Sequence, residues 1–182
     1  MEAETVIRPA SVSDAGRLAE FAERVFDDVF GPLNDEGDMA SYLNEAFSPE
    51  IQRAEIAGDG SIVLLAERGG TLAGYLHIAP APSPDCVTDA SALELKRLYV
   101  EPSLHGRGIG KTLLDAGLER ARANGARSIW LGVWENNVKA QAFYTREGFT
   151  RVGEHPFALG SGTQTDWIMQ RSLTHPHDAR RR

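Results

Sequence analysis

The stretch LYVEPSLHGRGIGKTLLD, residues 98–115, decides the fold. An apolar run ends at Val100, a proline opens a loop, and an amphipathic pattern starts close to Gly108. The three glycines of this turn let backbone N–H groups approach a ligand closely, and the N-terminus of the following helix carries partial positive charge. The stretch therefore predicts a strand, an anion-binding loop and a helix over residues 109–123.

Two common nucleotide-binding motifs do not fit these glycines. A nucleotide-hydrolysing P-loop needs Gly, four residues and then Gly-Lys-Ser/Thr, but His105 stands where the first glycine is required. The glycines at positions 106, 108 and 110 alternate strictly, so the dinucleotide pattern G-x-G-x-x-G fails as well. The pyrophosphate of another carrier remains as the ligand, and a simple chain-reversing turn remains as the alternative.

The periodicity of the remaining chain predicts an α/β fold with a mixed sheet. Apolar residues three and four apart between Leu18 and Phe26 predict a first helix, and a second helical region covers residues 38–56 with a restart at Ser48 and Pro49. A further helix is expected over residues 138–146. Strands are expected at residues 6–8, 61–67, 71–78, 93–100, 128–133, 150–159 and 164–173. The order βααβββαβαββ combines hairpins with crossovers, which is typical of α/β proteins.

Length and composition restrict the class of protein. The 182 residues predict a single domain over residues 1–173, followed by a polar tail at 174–182 that we expect to be disordered. A formal net charge of −7 argues against a nucleic-acid partner. We expect a cytoplasmic protein without a membrane partner, because neither a leader pattern nor a run of 18 apolar residues occurs. The scattered histidines and the single cysteine predict no metal site.

An acidic stretch lies between Asp27 and Glu50. It holds seven carboxylates, among them Asp35, Glu36 and Asp38, and neither lysine nor arginine. Such a run is either an ordinary solvated surface or a rim that attracts a polycationic ligand.

Two motifs resemble those of one enzyme superfamily. His105, Gly108 and Gly110 are similar to the pyrophosphate motif Q/R-x-x-G-x-G/A of the GCN5-related N-acetyltransferases, with histidine where Gln or Arg is usual. The second motif, N-x-x-A-x-x-F-Y, lies within VWENNVKAQAFYTREGF, residues 133–149, and is matched by Asn137, Ala140, Phe143 and Tyr144. On these two motifs the chain is identified as a member of that superfamily.

The resemblance implies a fold and a cosubstrate. The fold would be a mixed, mostly antiparallel sheet of about seven strands with about four helices, splayed between strands 4 and 5. Acetyl-CoA would donate the acetyl group, with Arg107 and Lys111 as charge partners of its pyrophosphate and Asn137 as a helix cap that also reaches its pantetheine arm. The residues implied to bind it are Leu98, Tyr99, Val100, His105, Gly106, Arg107, Gly108, Ile109, Gly110, Lys111, Asn137, Ala140 and Phe143.

The resemblance also implies how protons move. Tyr144 occupies the general-acid position, and a phenol of ordinary pKa about 10 can protonate a departing thiolate. A carboxylate or a water chain must take the proton of the amine, and Glu94, on the fourth strand two turns of the pleat before the splay, is the first candidate. Glu135, after the fifth strand, is the second and a candidate substrate contact. His77 and His155 are weaker candidates, since a lone strand histidine is more often structural.

The acceptor is implied by a second, narrower resemblance. Residues 129–173 are similar to the bacterial PaiA-type spermidine/spermine acetyltransferases, including G-x-H-x-F at residues 153–157 and Q-T-D-x-I-M at residues 164–169. The acceptor would then be a small-molecule amine, a polyamine, contacted by the acidic rim of Asp35, Glu36 and Asp38. An amino acid, an amine antibiotic or a protein amino group is an alternative acceptor, and an acyl-CoA sensor without turnover is an alternative function. A homodimer is also possible, because the last strands would be sheet edges.

Overall fold

The protein, described by a computed structural model over residues 4–33, 36–159 and 162–174, alternates helices and strands in the expected order. The elements are β1 Thr5–Pro9, α1 Ala15–Phe30, α2 Glu36–Phe47, α3 Pro49–Ala57, β2 Ile62–Arg68, β3 Thr71–Ala79, β4 Leu93–Val100, α4 Ile109–Ala123, β5 Ser128–Trp134, α5 Val138–Arg146, β6 Thr150–Leu159 and β7 Gly162–Ser172. The second helical region forms two helices, because the Ser48 hydroxyl caps a new start at Pro49. The polar tail from residue 175 onward lies outside the described residues.

The seven strands form one mixed sheet, as predicted. Their order is β1-β2-β3-β4-β5-β7-β6, and every neighbouring pair is antiparallel except β4 with β5. The expectation that both last strands are edges is wrong for β7, because the β6–β7 hairpin folds back so that β7 pairs with β5. The described edge strands are therefore β1 and β6.

The sheet opens between β4 and β5. The two strands pair only at Leu93 with Ile129 and at Glu94 with Trp130. An extra residue at Lys96 interrupts the register of β4 with β3, and such a bulge bends and twists the strand that carries it. The predicted splay is confirmed. Glu94 lies at its apex rather than two turns of the pleat before it, because pairing ends at this residue.

Two apolar layers cover the sheet. On one face, here called the α4 face, Leu113 and Leu114 of α4 pack on strand residues such as Ile78, Leu95 and Ile129. On the other, the α1 face, residues of the first three helices pack with strand residues; the largest fully buried side chains there are Tyr75, Phe47, Leu18 and Leu65. The bulge puts Leu95 and Leu98 on the same face although they are three residues apart, and so leaves Glu94, Arg97 and Tyr99 on the α1 face.

Membrane insertion by a helix has no support in the described part of the chain, since none of its helices combines the length and the apolar character needed to cross a bilayer.

Candidate active site at the splay

The glycine loop before α4 forms a cradle of open backbone. Gly106 and Gly108 adopt φ values of +78° and +81°, in the left-handed region that favours glycine. A Cβ added at either would meet nothing within 4 Å, so the space above both residues is free for a ligand. Gly108 is the N-cap of α4 and accepts from the Thr112 backbone N–H at 3.0 Å, which confirms the expected helix start. The first N–H groups of α4 therefore face the loop, where an anion is favoured.

His105 fixes this loop from within. Its Nε2 lies 2.9 Å from the carbonyl oxygen of Val100, so the ring N–H donates to the end of β4. The side chain that replaces the usual Gln or Arg of the motif thus bridges the two ends of the turn.

Lys111 stands at the mouth of the cradle. Its Nζ lies 2.7 Å from Asp115 Oδ2 and 3.4 Å from Glu147 Oε2 at the end of α5. The hydrogen bond to Asp115 raises the pKa of this ammonium, so Lys111 stays charged. Arg107 is also exposed beside it. The glycine loop and the first turn of α4 therefore each carry an exposed cationic side chain beside the first N–H groups of the helix.

Helix α5 is held at the end of β5 by two amide side chains. Asn137 Oδ1 accepts from the Ala140 N–H at 3.1 Å and caps the helix, as predicted. The Gln141 amide is buried and donates to the carbonyl oxygens of Trp134 and Glu135, at 3.0 and 2.8 Å. These bonds fix the direction in which the helix leaves the splay.

Tyr144 projects from α5 toward the splay. Its ring packs edge-on against Phe143 and Phe149, with ring centroids 5.2 and 5.6 Å apart. Burial raises the pKa of the Tyr144 hydroxyl. Burial likewise raises the pKa of Tyr99, on the α1 face of β4, and the Tyr144 hydroxyl adds to that increase. Tyr144 packs with the α4 layer and Tyr99 with the α1 layer, and the electrostatic influence of the Tyr144 hydroxyl on Tyr99 indicates that both residues border the gap between β4 and β5.

Glu94 occupies the apex of the same gap. Its side chain is 24% exposed and lies 3.9 Å from the Lys96 ammonium. Burial raises the pKa of Glu94, while Lys96, Arg97 and His155 partly offset the increase. The carboxylate is therefore a stronger base than an exposed glutamate.

Among the other predicted substrate contacts, Glu135 has a described side chain, and it is exposed in the turn after β5. Asp35 lies outside the described residues, and Glu36 and Asp38 belong to α2 with side chains that the structure does not describe. His77 is buried beneath the α1 face, where burial lowers its pKa to about 3, too low for a useful base near neutral pH.

Sequence reasoning missed two charged residues on the α1 face, Asp166 and Arg97. Asp166 of β7 lies beside Trp134 of β5 in the register, and burial raises the pKa of its carboxyl group. The motif Q-T-D-x-I-M contains it, but only the insertion of β7 beside β5 brings it to the splay.

Arg97 joins the helices to the sheet. Its guanidinium lies 2.5 Å from Glu55 Oε2 of α3, and its Cζ is 4.9 Å from the centroid of the Phe47 ring. Its side chain is only 13% exposed, so its charge is used within the protein. The signal in the sequence was a charged residue in an otherwise apolar strand, whose partner 42 residues away could not be identified.

No group of three or more His, Cys, Asp or Glu side chains that could hold a metal occurs within the described ranges. The candidate site therefore consists of the cradle, the Tyr144 hydroxyl, the Glu94 carboxylate and the α1 face of the open sheet.

Comparisons with known proteins agree with this geometry. Residues 25–149 match the family model described as the acetyltransferase (GNAT) family. An uncharacterized N-acetyltransferase from Lactobacillus delbrueckii subsp. lactis is 34% identical over 163 residues, which cover 90% of this chain and 94% of that protein. An uncharacterized N-acetyltransferase from Mycobacterium tuberculosis is 30% identical over 162 residues, 89% of this chain and 99% of its own. The crystal structure of the PaiA N-acetyltransferase from Thermoplasma acidophilum in complex with coenzyme A superimposes with a TM-score of 0.76 at 25% identity, covering 93% of this chain and 99% of that one.

Proposed function

Because the chain belongs to the acetyltransferase (GNAT) family and is an N-acetyltransferase, we propose that it acetylates a primary amine of a polyamine such as spermidine or spermine. Acetyl-CoA supplies the acetyl group as a thioester. In this proposal the amine attacks directly, Tyr144 is the general acid and Glu94 is the general base. The observation that supports it is the splay between β4 and β5, with Glu94 where the pairing ends and a cradle of open glycine backbone following the end of β4.

The cradle residues fit the pyrophosphate of coenzyme A. Open left-handed glycines at 106 and 108 present backbone N–H groups, and Lys111 adds an exposed charge. His105 contributes by holding the loop to Val100. Beyond Glu94, none of the described strands pairs with β4 on its β5 side, so backbone N–H groups of Leu98 to Val100 on that edge are available to polarise a carbonyl.

Tyr144 holds the proton for the leaving sulfur. Its raised pKa keeps the phenol protonated throughout the neutral range. The same increase weakens the driving force for early transfer, so the hydroxyl first donates a hydrogen bond as charge develops and gives up its proton late in the step.

Glu94 takes the proton that the amine must lose. An ammonium has no lone pair, so the acceptor has to be deprotonated before it attacks. Burial makes the Glu94 carboxylate more basic, and its place at the apex puts it beside the end of the gap between β4 and β5.

A polycationic acceptor suits the charges of the α1 face. Glu94 and Asp166 lie there as carboxylates, whereas the nearby Arg97 is neutralised by Glu55. The resemblance of residues 129–173 to PaiA-type enzymes supports the same substrate class, as does the structural similarity to a PaiA protein.

The test is an acetyl-CoA consumption assay on the purified protein. Spermidine and spermine are compared with amino acids, aminoglycosides and a lysine peptide at matched concentrations, and coenzyme A affinity is measured in parallel. We expect the highest kcat/KM for the polyamines. Turnover confined to another amine would contradict the polyamine proposal but keep the chemistry, whereas tight coenzyme A binding with no turnover on any amine would point to a sensor.

A further inference from the structure

The α1 face of β5 is uncovered at Gly132. Leu131 and Val133, which point to the α4 face, are buried, but Gly132 between them is exposed. The pairing of β4 with β5 has already ended at Trp130, two residues before Gly132. The exposed glycine therefore lies at the floor of the opening between the two strands, here called the cleft.

Asp166 extends across this floor. Its Oδ2 lies 3.1 Å from the position that a Cβ of residue 132 would take, so the carboxylate rests directly over the glycine. A side chain at position 132 would displace the carboxylate by a few tenths of an ångström. The absence of a side chain at Gly132 therefore leaves room for the Asp166 carboxylate.

The Asp166 carboxylate makes no hydrogen bond or ion pair with the part of the chain that the structure describes, although it is half-buried. The groups that face it are His155 of β6, its register partner, Tyr42 of α2 and Trp134 of β5. Removing a carboxylate from water without a partner costs free energy, and a cation from a ligand would offset that cost.

Asp166 and Glu94 lie at different points along the splay. Glu94 is in register with Trp130, whereas Asp166 is in register with Trp134 and its carboxylate rests over Gly132, so both carboxylates lie on the same face of the sheet. Beside Asp166, the Trp134 and Phe30 rings pack with their centroids 6.3 Å apart.

We infer that Asp166 determines acceptor specificity by binding a second cationic centre of the acceptor while Glu94 serves the amine that reacts. This inference rests on the proposed function. It assigns the discrimination between linear diamines or polyamines and monoamines to one carboxylate on β7.

The experiment compares kcat/KM for a series of linear α,ω-diamines and for n-alkylamines of the same chain lengths. The variants are Asp166→Asn, which removes the charge at nearly constant shape, and Asp166→Glu, which moves the charge outward by one methylene. Glu154→Gln is the matched control, because this carboxylate lies on the neighbouring strand, pairs with Arg151 and is in register with Trp167 rather than with the cleft residues. Coenzyme A affinity reports whether each variant is folded.

We expect Asp166→Asn to lower kcat/KM for the preferred diamine about tenfold or more, the usual size for loss of a charged hydrogen bond. Its kcat/KM for the matched monoamine should stay unchanged. Asp166→Glu should retain the preference for diamines but shift the best chain length to a shorter diamine. The control should resemble the wild type.

Equal losses for diamine and monoamine in Asp166→Asn, or no loss for either, would overturn the inference. So would a wild type that acetylates monoamines as well as diamines, and that result would leave the proposed acetyl transfer intact. A wild type that acetylates no amine would overturn the proposed function and the inference together.

Discussion

In the proposed chemistry Tyr144 is the proton donor, and burial raises the pKa of its hydroxyl. The same hydroxyl contributes to the raised pKa of Tyr99 on β4. For Glu94, by contrast, burial raises the pKa of the carboxyl group, which makes the carboxylate a better proton acceptor. The proposal assigns the two proton transfers of amine acetylation to these two groups.

Tyr144→Phe should lower kcat about 100-fold or more, since a positioned general acid contributes roughly that factor. Coenzyme A affinity should change little, because the ring and its packing remain. Tyr75→Phe is the matched control, as it removes the hydroxyl of another buried tyrosine, on β3. Equal turnover in Tyr144→Phe and in the wild type would show that Tyr144 is not the general acid.

Glu94 should produce the acid limb of the pH profile of kcat/KM. Its folded-state pKa is raised, so the carboxyl group stays protonated, and therefore inactive as a base, up to a higher pH than the ordinary value of about 4.3. Activity should fall as the pH drops through that raised pKa. In Glu94→Gln the limb should disappear and the rate at neutral pH should drop about 100-fold. An unchanged limb would assign the base to another group or to water.

At the scale of elements, the glycine loop and α4 were predictable because their signals are local. Alternating glycines, a preceding strand and a following amphipathic pattern lie within residues 98–115. The same holds for the cap at Asn137. The bulge at Lys96 was not predictable, since it becomes visible only in the register of β4 against β3.

Gly108→Val should weaken coenzyme A binding about tenfold or more, because a β-branched residue disfavours φ of +81° and distorts the loop. Gly70→Val is the matched control: Gly70 has the same φ of +81° and open space, but lies in the turn between β2 and β3. Thermal unfolding should report a similar loss of stability in both variants. Calorimetric titration should show weaker binding only for Gly108→Val, and equal affinities would refute this placement of the cradle.

At the scale of the whole molecule, the order of the strands determines which side chains lie at the site, and the net charge of the chain determines which ligands it attracts. Patterns along the chain predicted seven strands and the resemblance implied a splay, but neither included the place of β7 between β5 and β6. That placement brings Asp166 to the cleft, and a contact over 42 residues joins Arg97 to Glu55. Such pairings depend on the complete packing of the chain, so single-sequence patterns could not identify them.

The net charge of −7 should matter for a polycationic substrate. Neutralising Asp35, Glu36 and Asp38 together should raise the KM for spermidine severalfold at low ionic strength and less at high ionic strength, because salt screens the attraction between opposite charges. A triple variant at Asp59, Asp85 and Glu119 removes the same charge from exposed sites in other elements and is the control. An equal effect of the two triple variants on the KM would show that the acidic stretch is an ordinary solvated surface.

The most direct measurement is mass spectrometry of spermidine after incubation with the protein and acetyl-CoA, with Tyr144→Phe in parallel. We expect spermidine carrying one acetyl group on a primary amine, in step with release of free coenzyme A, and far less product with the variant. Unmodified spermidine beside intact acetyl-CoA, from a protein that still binds coenzyme A, would contradict it.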